Sequence, residues 1–287
     1  MNKNKIKSFC KVNLSLRVIK KLTNNYHIIK SFITFCNIYD LIKIKKIKGD
    51  KDKVIFTGKF KKGISNKQNT VTKLLYSLRK KNLIKKQSFE INIKKNIPPG
   101  AGLGGGSSNA AYLLKFLNSN MSLNLNKLQV QKIAKEIGFD VPIILERKNT
   151  LLTGKKNQII RINKKFQFII LIVYPNINCS TKIMYKKNRK FTKLINRDNF
   201  NKITRDKALK YLINENNDLE EIVIKSYPQI GKIINFMKMQ KGCYFSRITG
   251  SGSACIGIYS NIKLAICAQK LIKIKFPKYW CVLSRTI

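Results

Sequence analysis

The chain has 287 residues, enough for two ordinary domains with cores of their own. A hydrophobic share of 44% excludes a disordered chain. The longest apolar run, Phe166 to Tyr174, is far below the roughly 20 residues of a membrane helix.

The formal charge of +46 invites a nucleic-acid reading, but the lysines are spread along the whole chain rather than gathered in a tail or stripe. Nonspecific attraction of polyanions is expected, and no specific nucleic acid or membrane partner. Seven cysteines form no C-x-x-C pair, and a single histidine excludes a Cys/His zinc site. Met1 to Phe9 is polar and lacks an apolar signal region, so a reducing cytoplasmic setting is expected.

In chain order, Val12 to Val18 alternates with period two and predicts a half-buried strand. Ile38 to Lys48 and Lys53 to Gly58 are further strand candidates. Val71, Leu74, Leu75 and Leu78 predict a helix over Thr70 to Lys80, and Phe89 to Lys95 a strand. A glycine-rich loop then leads into a helix ending near Leu117, with Ser107 and Ser108 as natural N-caps. Lys127 to Ile137 is helical, and strands dominate from Leu151 to Tyr174. Lys186 to Lys207 reads as a polar excursion. Helices over Ala208 to Asn214 and Pro228 to Gln240 follow. Then come strand (Tyr244 to Ile248), glycine turn, strand (Ala254 to Tyr259), helix (Ile262 to Ile274) and strand (Trp280 to Ser284). The mixture predicts an α+β architecture in two lobes, 1–160 and 161–287.

The loop, Ile97-Pro98-Pro99-Gly100-Ala101-Gly102-Leu103-Gly104-Gly105-Gly106-Ser107-Ser108-Asn109, places five glycines within seven residues. Glycine lets backbone approach a ligand closely, and a helix N-terminus attracts phosphate oxygens, so the loop suits a nucleotide triphosphate. A P-loop would carry Lys where Gly106 stands. The spacing of Gly100, Gly102 and Gly105 fits a dinucleotide fingerprint formally. No acidic residue occurs between Glu90 and Glu136 to hold a ribose, so that reading fails. His-Arg-Asp and Asp-Phe-Gly are absent, which excludes a protein kinase. Among only 13 acidic residues, Asp50, Asp52, Asp198 and Asp206 lie in polar turns or loops. Asp140 differs, lying in Gly138-Phe139-Asp140-Val141-Pro142 among apolar neighbours.

These segments together resemble the GHMP small-molecule kinases. The loop resembles that family's second motif, and Arg247-Ile248-Thr249-Gly250-Ser251-Gly252-Ser253-Ala254 its third. Cys10-Lys11-Val12-Asn13-Leu14-Ser15-Leu16, with Tyr26-His27, and Gly138 to Pro142 are similar to one branch. That branch phosphorylates a hydroxyl of a cytidine-diphosphate-linked methylerythritol in the non-mevalonate isoprenoid route. The resemblance implies an N-terminal lobe like ribosomal protein S5 domain two and a C-terminal GHMP lobe. It implies ATP as co-substrate with Mg²⁺, metal ligands unassigned, and a monomer or weak homodimer.

The resemblance makes Asp140 the general base and places Lys11 beside it, stabilising the transferring phosphoryl group. The stretch from Pro98 to Asn109 would hold the ATP phosphates, with Asn69 and Lys95 near the nucleotide. Asn13, Tyr26, His27, Thr181 and Tyr185 would hold the cytidine diphosphate end, and Gly250 to Ser253 the substrate's phosphate side. Phe9, Cys10 and Asn24-Asn25 depart from the family's letters without removing a reacting group. The alternatives are a homoserine or mevalonate type of GHMP kinase, and a basic RNA-binding protein built on the S5-like lobe.

Overall fold

The computed structural model describes residues 4–23, 26–49, 51–84, 87–121, 123–154, 158–193 and 200–287. The Asn24-Asn25 turn, Asp50 and Asp198 lie outside them. In chain order the first elements are β1 (Lys5–Asn13), β2 (Arg17–Lys21), β3 (His27–Ile47), β4 (Lys53–Thr57), α1 (Thr70–Lys80), β5 (Ser88–Lys94), α2 (Gly105–Asn120), α3 (Lys127–Ile137) and α4 (Asp140–Ile144). There follow β6 (Asn149–Thr153), β7 (Ile159–Ile162), β8 (Ile169–Tyr174), α5 (Thr181–Lys187), α6 (Arg205–Asn214), α7 (Glu220–Ser226) and α8 (Pro228–Lys238). The chain ends with β9 (Cys243–Ile248), β10 (Cys255–Tyr259), α9 (Ile262–Lys275) and β11 (Trp280–Arg285). No helix among the described residues is long and apolar enough to cross a membrane.

Two compact units interleave along the chain. The first contains Met1–Lys11, Ile38–Pro99 and Gly104–Arg147; the second contains Val12–Asn37, Gly100–Leu103 and Lys148–Ile287. In the first unit the later half of β3 pairs antiparallel with β5, and β5 pairs parallel with β4. Ile42, Ile44, Phe89, Ile91 and Ile93 are buried there. Helices α1 to α4 pack on one another. In α1 the predicted stripe of Val71, Leu74, Leu75 and Leu78 is buried, each side chain contributing about 1.5–3 kcal/mol. Asn69 caps α1, accepting from the Val71 and Thr72 amides, while the Thr72 hydroxyl accepts from the Asn69 amide.

In the second unit the early half of β3 pairs with β2 and β6, and β6 pairs with β7. A separate antiparallel sheet has the order β11-β8-β10-β9. Helix α8 packs on β9 and β10, and α9 on β8 and β11. Ile170 to Val173 and Cys255 to Ile258 are fully buried in its centre, explaining their continuous apolar runs.

The strand expected over Val12 to Val18 is instead the end of β1, a break, and the start of β2. The alternation misled because its polar members are not solvent-facing. The Asn13 amide donates to the Ser31 hydroxyl at 2.8 Å, and Ser31 donates to the Ser15 carbonyl at 2.6 Å. Buried, satisfied polar groups break the rule that period two marks one wet face.

Candidate active site

Lys11 leaves the first unit's stretch of β1, and Asp140 opens α4. Their charged groups lie 3.3 Å apart, with the Lys11 side chain 6% exposed and that of Asp140 30% exposed. The pair is sheltered on the lysine side and reachable by solvent on the carboxylate side. Beside it, Gly104 takes φ 66° as the N-cap of α2. A Cβ there would lie 2.7 Å from Lys11 Cγ and 3.0 Å from its Cε. Both a left-handed backbone and the close lysine stem therefore require glycine at this position. Gly104→Ala is expected to displace Lys11 and lower kcat roughly tenfold or more. A Gly104→Ala variant with unchanged turnover would show that the stem's place is immaterial.

Ser107 and Ser108 do not cap α2, contrary to the sequence expectation. Gly104 turns the chain into the helix earlier, so both serines lie in its first turn, and no side chain caps it. The amides of Gly105, Gly106 and Ser107 consequently have no partner within the helix, an arrangement suited to anionic oxygens. Ser108 Oγ is buried without a hydrogen-bond partner. The Thr70 hydroxyl donates to the Gly106 carbonyl at 2.7 Å, tying the start of α1 to that of α2. Asn69 is thus fixed near this turn by its capping role. Pro98 is buried, and Pro99 is exposed.

Lys95 directly follows β5, its ammonium buried against the Asp40 carboxylate. Asn109 donates to the same carboxylate at 3.1 Å. Sequence reasoning missed Asp40. Its signal was the one that singled out Asp140: a carboxylate inside an apolar run, here Ile38-Tyr39-Asp40-Leu41-Ile42.

In the second unit, Gly100 to Leu103 meet the third glycine motif. The Ala254 amide donates to the Ala101 carbonyl at 3.1 Å. A Cβ at Gly102 would strike the Thr249 carbonyl, and one at Gly100 the Asn178 side chain. A Cβ at Gly250 would sit 3.1 Å from the Gly102 carbonyl and 3.4 Å from Asn13 Oδ1. The Asn13 backbone N–H donates to the Thr249 hydroxyl at 2.8 Å. Thr181 and Ser251 share a hydrogen bond of 2.8 Å, and Ser253 donates to the Ile177 carbonyl. Gly252 is buried with its neighbours. Asn13, Thr181 and Gly250 to Ser253 therefore come together. Sequence reasoning also missed Asn217, which donates to the carbonyls of Ile248 at 3.1 Å and Gly250 at 2.8 Å. It sits in the polar run Asn214 to Asp218, where nothing in the letters distinguishes it.

His27 and Tyr185 form a second cluster of this unit, ring centroids 4.9 Å apart and tilted by 35°. Tyr26 is 58% exposed. Burial, reinforced by Lys21, lowers the His27 pKa from its ordinary 6.5, so the ring is neutral at pH 7. The unfolded chain then binds the proton more readily than the folded one, and stability falls as pH drops below 6.5. With a single histidine in the chain, thermal melts between pH 7.5 and 5.5 are expected to show a falling Tm that His27→Gln flattens. An equal slope in the variant would contradict the assignment. No group of three or more His, Cys, Asp and Glu side chains gathers as a metal site among the described residues.

The model of the GHMP kinases N terminal domain matches residues 69–147, and that of the GHMP kinases C terminal domain residues 198–277. The fold agrees with that class. A crystal structure of 4-(cytidine 5'-diphospho)-2C-methyl-D-erythritol kinase superposes with TM-score 0.75 at 21% identity, covering 98% of each chain. Homoserine kinase from Cytophaga hutchinsonii gives 0.67 at 14%, covering 100% of this chain and 96% of that one. The 4-diphosphocytidyl-2-C-methyl-D-erythritol kinase of Pelagibacter ubique is 37% identical over 289 residues, 100% of each chain. That of Caldicellulosiruptor bescii is 33% identical over 94% of each. The chain belongs to the 4-diphosphocytidyl-2-C-methyl-D-erythritol kinase family of GHMP kinases.

Proposed function

We propose that the protein transfers the terminal phosphoryl group of ATP to a hydroxyl of 4-diphosphocytidyl-2-C-methyl-D-erythritol, a step of the non-mevalonate isoprenoid route. The observation that carries this reading is the Lys11–Asp140 pair, 3.3 Å apart and packed beside Gly104 at the start of α2. Full-length relatives named for this kinase favour it over homoserine or mevalonate types, whose solved structures share the fold at 14% to 18% identity.

In the first unit, Asp140 takes the proton from the attacking hydroxyl. The Lys11 ammonium stabilises charge on the phosphoryl oxygens, and the amides of Gly105 to Ser107 hold the phosphates. Asn69 and Lys95 fix the nucleotide side. In the second unit, Gly100 to Leu103 support the third glycine motif, whose Gly250 to Ser253 hold the substrate's phosphates with Asn13 and Thr181. Neutral His27, with Tyr26 and Tyr185, offers flat faces to a pyrimidine. Transfer is direct and in line, without a covalent enzyme intermediate.

The donor set suits a Mg²⁺ carried on phosphate oxygens and water rather than in a protein cage. The Ser107 hydroxyl in the first turn of α2 is the protein oxygen that would hold it, which leaves the Asp140 carboxylate to take the proton. When bound, Mg²⁺ neutralises charge on the phosphates. The proposed lobes, 1–160 and 161–287, each contain one of the two matched domains. A cytoplasmic monomer or weak homodimer acting on a small molecule, with no specific nucleic acid or membrane partner, completes the proposal.

A coupled ADP-release assay tests it. Turnover is expected with the cytidyl substrate and not with homoserine or mevalonate. Equal rates with all three, or none with the cytidyl compound, would overturn it.

A further inference from the structure

We propose that Asp40, which need not touch either substrate, is the positioning residue for the nucleotide half of the site; the inference rests on the kinase reading above. Asp40 is fully buried in β3. One carboxylate oxygen, Oδ1, accepts the backbone N–H groups of Asn96 at 2.8 Å and Ile97 at 2.9 Å. The other, Oδ2, accepts from the Lys95 ammonium and from Asn109 Nδ2 at 3.1 Å. Four donors on one carboxylate use nearly all its lone-pair capacity.

The donors come from both sides of the glycine turn within the first unit. Lys95, Asn96 and Ile97 are the chain entering the turn, and Asn109 lies in the second turn of the helix that leaves it. A Cβ at Gly105 would meet Ile97 Cγ2 at 2.9 Å and Lys95 Nζ at 3.3 Å, so α2's first residue rests directly on the segment Asp40 holds. The direction of the Gly105, Gly106 and Ser107 amides therefore depends on this carboxylate.

Neutralising a buried lysine alone would not require this arrangement, since an apolar pair of similar volume serves stability as well or better. An acceptor for two consecutive backbone N–H groups at the loop's entrance is a separate demand. Leaving those groups unpaired in the interior would shift the loop.

The test compares wild type, Asp40→Asn and Asp40→Leu. Binding of a nonhydrolysable ATP analogue with Mg²⁺ is measured by calorimetry, KM for ATP and for the cytidyl substrate by coupled assay, and folding by circular dichroism. Asp40→Asn keeps an acceptor for the two N–H groups but confronts Lys95 and Asn109 with a third donor. Its nucleotide affinity is expected to fall about tenfold, the loss of one charge-assisted bond, with KM for the cytidyl substrate within about twofold of wild type. Asp40→Leu removes the acceptor too and is expected to lose about a further tenfold. If the leucine variant does not fold, the asparagine variant carries the test.

Nucleotide affinity within twofold of wild type in folded Asp40→Asn would overturn the inference. So would a parallel rise in both KM values, the mark of general loosening. Should wild type show no cytidyl-dependent ADP release while analogue binding responds to Asp40 as stated, the kinase reading fails and the positioning role stands.

Discussion

Asp140→Asn is expected to lower kcat by about 10²–10⁴-fold, the usual contribution of a positioned general base, while ATP-analogue binding survives. The substitution is isosteric. The amide oxygen can still accept from Lys11, so the 3.3 Å contact and the sheltered lysine keep a partner. What disappears is the ability to receive a proton from the attacking hydroxyl. Because the carboxylate is 30% exposed, its removal disturbs packing little, and the Tm is expected to stay close to wild type. Single-turnover kinetics with a calorimetric binding control would separate chemistry from affinity. A kcat within threefold of wild type would remove Asp140 from the role of base.

Lys11→Met is the second large effect. Methionine fills the aliphatic channel beside Gly104 but carries no ammonium, so packing is retained where alanine would leave a void. Losing one preorganised positive group at the transferring phosphoryl is expected to cost about 10²–10³-fold in kcat. The pair acts as a unit, so Lys11→Met combined with Asp140→Asn is expected to lose little more than Asp140→Asn alone. Fully multiplicative losses in the double-mutant cycle would mean the two side chains serve separate steps.

Much of the fold is readable where burial follows a single face. The spacing in Thr70 to Lys80 and Lys127 to Ile137 gives α1 and α3 with both ends in place, because one stripe of each is buried and a side chain caps each start. The early half of β3 carries no such signal. Phe32 to Cys36 is buried on both faces, so no alternation marks it. Helices α5 and α7 span seven residues each, too short for periodicity to register. Val12 to Val18 shows the opposite failure, an alternation whose polar members are internal.

The candidate site divides in the same way. Glycine density exposed the turn, and an isolated carboxylate exposed Asp140. Their pairing with Lys11 came from the resemblance, because no local spacing links positions so far apart in sequence. The helix start was misplaced since three successive glycines do not disclose which one turns left-handed; serine cap preference then pointed past Gly104. Asn217 stayed hidden because its work is done by two hydrogen bonds to distant carbonyls, and in the letters it is one more polar residue of a turn.

Phosphorus NMR of wild-type protein with ATP, Mg²⁺ and 4-diphosphocytidyl-2-C-methyl-D-erythritol tests the central claim most directly. The account predicts one new phosphomonoester resonance on the cytidyl substrate, growing in step with ADP and absent from Asp140→Asn. Inorganic phosphate in place of the monoester, or a monoester formed at wild-type rate by Asp140→Asn, would contradict it.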